Sequence, residues 1–233
     1  MYSKLKARFA TEVFKGDKNT KTALEKAYAD MSRRAQGHNE QLKKDCLSWL
    51  IENKIFENGL KCKNQDEFDK WHKETCIKLK EIHKGFGRIG RSQKVINMAF
   101  KYLSCIDNTY DAILPFCHMT LDGYTLNWYK DIGGQWIEWS KIDDYDKYFK
   151  IQEHIRDYLK NHNEYCVAIG EVTTKKIAIS NTPFEAEFVV WEGEIVKSKY
   201  NAIIKELNNY KIKGKDKDRW LIDNLFDTYL QSY

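Results

Sequence analysis

The stretch HKGFGRIGRSQKVINMAFKYLSC, residues 83–105, gathers the side chains best suited to chemistry. Gly85, Gly87 and Gly90 read as a short hairpin, and a strongly apolar helix is predicted to begin at Ser92. A helix N-terminus presents unpaired backbone N–H groups and a partial positive charge, and glycines let a ligand approach that backbone closely. Lys84, Arg88, Arg91 and Lys94 add positive charge around the turn. The combination suits a nucleic-acid phosphate backbone. The same residues also fit a tight helix–helix connection whose basic side chains are simply exposed.

Other clusters point less far. Asp143, Asp144 and Asp146 fit either a divalent cation or a helix start that complements the dipole. Glu185, Glu187, Glu192 and Glu194 are spread around one helix and lack the His partners of a di-metal site. Cys117 and His118 are adjacent, but no second pair stands at ligand spacing, and the six histidines form no HExxH motif. No metal is therefore expected. The glycines at 85 and 87 do not stand in the strand–turn–helix context of a dinucleotide fingerprint, and neither a P-loop nor a GxSxG elbow occurs, so no small-molecule cofactor is expected either.

GFGRIGRSQKVINMAF (85–100) followed by PFCHMTLDGYTL (115–126) resembles the signature of helix-hairpin-helix DNA glycosylases. That signature has a hairpin, a lysine near the start of the next helix, and a proline-containing loop with an aspartate. In order and setting, Lys94 matches the catalytic lysine and Asp122 the essential aspartate. The gap between them is similar to that of the archaeal 8-oxoguanine glycosylase branch. Two positions depart from the pattern: the hairpin has no proline, and Thr120 stands where a proline is common. The resemblance implies a DNA partner and a covalent mechanism. The neutral amine of Lys94 would attack the sugar C1′ of a damaged nucleotide, 8-oxoguanine among the candidates, expel the base and leave a Schiff base. The positive end of a helix beside Arg91 would disfavour the ammonium form, and Asp122 would orient the amine and stabilise positive charge on the sugar. The base must be extruded from the stack, at a cost of roughly a few kcal/mol, and held between aromatic groups. Tyr124, Trp128, Trp136 and Trp139 are near Asp122 in sequence and are candidates for that pocket or for the core.

The elements that would position these residues are mostly helical. Leu24, Ala27, Tyr28 and Met31 share one face of a helix over 20–35, which Gly37 ends. A second helix is expected from Asn39 to Phe56. A third opens at Asn64, with Glu67 completing a capping box and Phe68, Trp71, Thr75, Leu79 and Ile82 along one side. Apolar residues cover nearly the whole circumference of the helix after Ser92, which makes it central. Asp122 reads as an N-cap. Residues 131–141 read as a loop or brief hairpin, and Asp143 or Asp144 opens a long helix. Residues 166–180 fit either a small hairpin or a helix end plus loop. Thr182, Pro183 and Glu185 start another helix; 211–218 is a charged linker, and a last amphipathic helix follows. The expected fold is one mostly α domain over 1–233, with about nine helices and a helix-hairpin-helix-like segment at 83–130.

Composition excludes several classes. Hydrophobic residues at 42% and charged residues at 31% rule out a disordered chain, and two prolines in 233 residues suit long helices. No run reaches the roughly 18 apolar residues of a membrane span, and the N-terminal MYSKLKARFATEVFKG is not a signal peptide, so a cytoplasmic protein is expected. The six scattered cysteines read as reduced thiols, mostly buried. A net charge of +5 permits nucleic-acid binding without requiring it.

Three readings follow. A glycosylase/lyase predicts a basic groove with Lys94 and Asp122 facing each other. A non-catalytic nucleic-acid-binding domain predicts the groove with Lys94 exposed or misdirected. A helical interaction protein, of an accessory or defence-type family, predicts an apolar patch as its most unusual surface.

Overall fold

Three helices in the first third of the chain begin in the same way. Asn19, Asn39 and Asn64 each sit in an extended conformation, and each accepts the backbone N–H three residues on, at 2.9 Å. Such a cap satisfies one of the amides that the first turn leaves without a partner, worth about 1 kcal/mol. They open α2 (Thr20–Ser32), α3 (Glu40–Glu52) and α5 (Gln65–Ile82). At Asn64 the reciprocal carboxylate contact is shifted by one residue: Glu67 accepts the N–H of Lys63.

The structure, a computed structural model, describes residues 2–14, 16–33, 37–84, 87–169 and 173–209. The expected linker at 211–218 and the helix after it lie outside the described residues, as does Gly85. The fold is mostly helical, with nine α-helices and one two-stranded antiparallel sheet among the described residues. The other elements are α1 (Tyr2–Val13), α4 (Ile55–Gly59), α6 (Ile89–Ser104), α7 (Gly123–Asp131), α8 (Tyr145–Asn161), β1 (Glu164–Ile169), β2 (Thr173–Ala178) and α9 (Pro183–Asn209). Short 3₁₀ turns occupy Asn108–Ala112, Leu114–Phe116 and Trp139–Lys141.

The helix expected from Asn39 to Phe56 is two helices. Lys54 takes a left-handed conformation, φ 48° and ψ 46°, and Asn53 turns its side-chain amide onto the Trp49 carbonyl. In one continuous helix Phe56 would fall off the stripe defined by Cys46, Leu47 and Leu50. The break rotates Ile55 and Phe56 into the core instead.

α6 is the central helix. Fourteen of its sixteen residues are buried, and it packs against α2, α5 and α8. It starts three residues earlier than expected, at Ile89, because Arg88 accepts the Ser92 amide and Gly90 donates to the Ile142 carbonyl. Gly90 thus belongs to the first helical turn and not to a hairpin.

Of the two possibilities for 166–180, the hairpin is the one found. It runs from Glu164 paired with Ala178 to Ile169 paired with Thr173. Tyr165 reaches from β1 to α9, where its hydroxyl donates to Glu194 at 3.1 Å. The start of α9 differs in detail from a capping box, since Glu185 accepts the Ser180 hydroxyl and Ser180 in turn accepts the Thr182 amide. Buried apolar side chains from Phe9 to Tyr200 form one continuous core. All six cysteines are free; Cys46, Cys76 and Cys117 are buried, whereas Cys166 is exposed.

Candidate functional site

The two residues of α6 that are not buried are Arg91 and Lys94, and both open onto one cavity of about 940 Å³. Met98, Lys101 and Tyr102 continue the same wall, so the helical repeat of α6 sets the lining on that side. The N-terminus of α7 adds Asp122 and Tyr124 to the lining. Trp136 and Trp139 come from the connecting loop, Phe9 from α1, and Glu187 and Trp191 from α9.

Lys94 and Asp122 meet in this cavity. Lys94 Nζ stands 3.8 Å from Asp122 Oδ2, with the side chains 11% and 16% exposed. The same amine lies over the Trp139 ring, 4.6 Å from its centroid. Both contacts attract an ammonium group. With α6 starting at Ile89, Lys94 is in the second turn, beyond the reach of the N-terminal dipole that its expected position would have given it.

Asp122 is the N-cap of α7, as its place in the sequence suggested. Oδ1 accepts the amides of Tyr124 at 2.9 Å and Thr125 at 3.1 Å, while the Asp122 amide donates to Thr125 Oγ1. Capping therefore occupies one carboxylate oxygen and leaves the other toward Lys94.

Deeper in the cavity lies a second ion pair that sequence reasoning missed. Lys101 and Glu187 are 2.9 Å apart and each 3% exposed. Lys101 Nζ is enclosed by the rings of Phe188, Phe9 and Trp191, at 4.3, 4.9 and 5.6 Å from their centroids. A lysine inside so apolar a helix, one heptad after Lys94, was the available signal. Glu187 and Trp191 carried none, because they lie on α9, far along the chain.

Of the aromatic candidates, Tyr124, Trp136 and Trp139 line the cavity. Tyr124 meets Trp191 edge to face, with centroids 5.9 Å apart. Trp128 instead packs in the core, edge to face on Tyr158. The next residue back, Asn127, is the one that α7 turns to the cavity.

The basic turn is placed as follows. Lys84 and Arg88 are exposed, and Arg88 pairs with Asp143 at 3.4 Å, beside a Lys80–Asp143 pair at 2.7 Å. Gly87 and Gly90 are buried against the chain's own backbone. A Cβ at Gly87 would overlap the Lys80 carbonyl, and one at Gly90 the Trp139 carbonyl. Their lack of a side chain serves close packing between segments. The described lining itself is charge-balanced, not basic: Arg33, Arg91, Lys94 and Lys101 stand against Asp30, Asp122, Glu138 and Glu187.

Among the described residues no group of three or more His, Cys, Asp or Glu side chains could hold a metal ion. The acidic cluster is used otherwise: Asp144 caps α8, Asp143 pairs with Lys80, and Asp146 pairs with Lys73 at 2.8 Å. Among these residues, too, no helix is long and apolar enough to cross a membrane. Compared with protein-family models, curated proteins and solved structures, the chain matches none.

Proposed function

We propose that this protein is a DNA-repair glycosylase with lyase activity, using Lys94 as nucleophile and Asp122 as its partner. The observation that carries this reading is the meeting of Lys94 and Asp122 on the wall of an aromatic cavity. A lysine amine and a carboxylate held together are the groups that displacement of a base from a sugar requires. Asp122 Oδ2 takes a proton from the Lys94 ammonium, and the freed amine nitrogen bonds to C1′ as the C1′–base bond breaks. The base leaves with the electron pair and the proton that Asp122 held; the bound nitrogen gives up its proton as the sugar ring opens, O4′ takes it, and the Schiff base results. Asp122 Oδ2 orients the amine and stabilises positive charge on the sugar. The extruded base enters among Tyr124, Trp139 and Trp191, with the Lys101–Glu187 pair below it to meet its polar edge. Exposed large hydrophobics among the described residues are Ile51, Ile77 and Trp136, single side chains on different elements. They offer no broad apolar docking patch among the described residues, while the charge-balanced lining is not the basic groove expected of a glycosylase, so the reading rests on the Lys94–Asp122 meeting.

Borohydride trapping tests it, with duplexes carrying an abasic site, 8-oxoguanine or uracil, and Lys94→Gln beside the wild type. A covalent adduct that the substitution removes is the expected result. An absent adduct on every duplex would leave Lys94–Asp122 a structural ion pair and favour the interaction-protein reading.

A further inference from the structure

The segment that delivers Asp122 to the cavity runs through the core without belonging to a sheet. Buried backbone amides and carbonyls must nevertheless find partners. At Met119–Leu121 those partners are side chains. Gln152 accepts the Met119 amide at 3.1 Å and donates to the Met119 carbonyl at 2.9 Å. Gln93 treats Leu121 in the same way, at 3.2 and 3.0 Å. Thr120, between them, faces the other side, where Glu187 accepts its amide at 2.6 Å and Thr125 donates to its carbonyl at 2.7 Å. Each glutamine amide stands in for the peptide group of a neighbouring strand, and the alternation follows the period of two of an extended chain.

The Gln93 clamp has a particular place. Gln93 immediately precedes Lys94, and Leu121 immediately precedes Asp122. Gln93 is itself held, donating also to the Gly90 carbonyl at 2.9 Å and accepting from Asn97 at 3.0 Å. Both glutamines are fully buried. At 3.8 Å the Lys94–Asp122 contact is too long to be a hydrogen bond and does not set its own geometry.

We infer that Gln93 and Gln152 are positioning residues, which hold Met119–Leu121 by its backbone and thereby fix Asp122 Oδ2 against Lys94. The inference rests on the proposed glycosylase/lyase reading for its catalytic consequence. A buried glutamine at each of these points is then a requirement of the site geometry, not only of the core.

The test compares wild type, Gln93→Met, Gln152→Met, Asp122→Asn and the double variant Gln93→Met/Asp122→Asn in full-length protein. Amide exchange read by mass spectrometry over the peptides covering 119–126, and single-turnover borohydride trapping on an abasic duplex, are the two readouts. Gln93→Met is expected to raise exchange at Leu121 and to slow trapping by about tenfold to a hundredfold, because a small displacement of a reacting group has that effect. Duplex affinity stays within about twofold, since the clamp contacts no DNA. In the Asp122→Asn background the same substitution costs less than about twofold more, the non-additivity of a residue that acts through another. Gln152→Met, whose clamp on Met119 lies three residues before Asp122, gives a smaller loss, and it carries the test by itself should Gln93→Met fail to fold. A folded Gln93→Met protein that traps at the wild-type rate overturns the inference, and so do losses that simply add in the double variant. A wild type that traps nothing overturns the glycosylase reading, and this inference with it; that failure is visible before any variant is made.

Discussion

Lys94 and Lys101 stand two helical turns apart on one face of α6 and line the same cavity, yet they are in different situations. Lys94 is 11% exposed with its carboxylate partner at 3.8 Å, whereas Lys101 is 3% exposed with Glu187 at 2.9 Å. The first has a carboxylate beyond hydrogen-bond distance and one ring, that of Trp139, beside it. The second is locked by its pair and three aromatic rings.

Their substitutions should therefore separate activity from stability. Lys94→Gln is expected to abolish the borohydride adduct while changing stability by no more than about 1 kcal/mol. Lys101→Met leaves Glu187 buried and without its cation, and should destabilise by roughly 3–5 kcal/mol. Adding Glu187→Gln to Lys101→Met should recover much of that loss. Urea unfolding beside trapping checks all three, and equal stabilities for the two lysine variants would contradict the assignment.

Asp122 does two things with two oxygens, and two substitutions part them. Asp122→Asn keeps an oxygen for the Tyr124 and Thr125 amides, so stability stays close to wild type while trapping falls by on the order of a hundredfold or more. Asp122→Ala loses the cap as well, at about 1 kcal/mol. Thermal melts and trapping rates of the pair decide whether capping and chemistry are separable.

Trp191 distinguishes base recognition from lyase chemistry. Its ring lines the cavity beside Tyr124, where an extruded base would stack. Stacking on one aromatic ring is worth about 1–3 kcal/mol, so Trp191→Ala should slow excision of a damaged base by roughly tenfold to a hundredfold. Trapping on an abasic duplex has no base to stack and should change little. A parallel loss on both substrates would place Trp191 in the fold and not in recognition.

Three buried histidines make stability depend on pH. Burial pushes His118 down to about 4 from the usual 6.5, the Arg156 charge adds to this, and the Asp69 hydrogen bond opposes it only in part. Burial likewise lowers His83 to about 4, aided by the charges of Arg91 and His38. Burial and the neighbouring His118 hold His72 well below its ordinary value. An unfolded chain takes up protons on these rings near 6.5, which the folded chain refuses until about 4. Stability is thus full above the unfolded value and falls as pH drops through that window. For Asp69 burial alone would raise the pKa, but the hydrogen bonds and charges of His118 and Arg156 hold it below the usual carboxylate range. Its own contribution therefore persists to more acid pH. Thermal melts from neutral pH down to about 4 should show a falling Tm, with a shallower fall in His118→Gln. A flat Tm across the window would mean that these rings are protonated in the folded state.

Much of the local structure was legible. The apolar circumference after Ser92 marked the central helix, Leu24, Ala27, Tyr28 and Met31 marked the buried face of α2, and Asn64 and Asp122 announced their caps. α1 was not legible, because Tyr2–Val13 is rich in basic residues and its Phe9 finds its apolar surroundings on residues far along the chain, Tyr102, Phe188 and Trp191. Nor was the break at Lys54, which depends on where Phe56 can be buried.

What the sequence determined by itself is what neighbouring residues decide among themselves: helical periodicity, the capping side chains, and the order of Lys94 and Asp122 along the chain. Tertiary structure alone decided that Trp128 goes to the core while Trp191 goes to the cavity, that Gly90 packs under the Trp139 carbonyl, and that Glu187 reaches both Lys101 and Thr120. The reason is physical. Capping and helix formation act over a few residues and leave a local pattern. The direction in which a buried side chain faces is set by whatever packs on it, and those partners come from elements far apart in the chain.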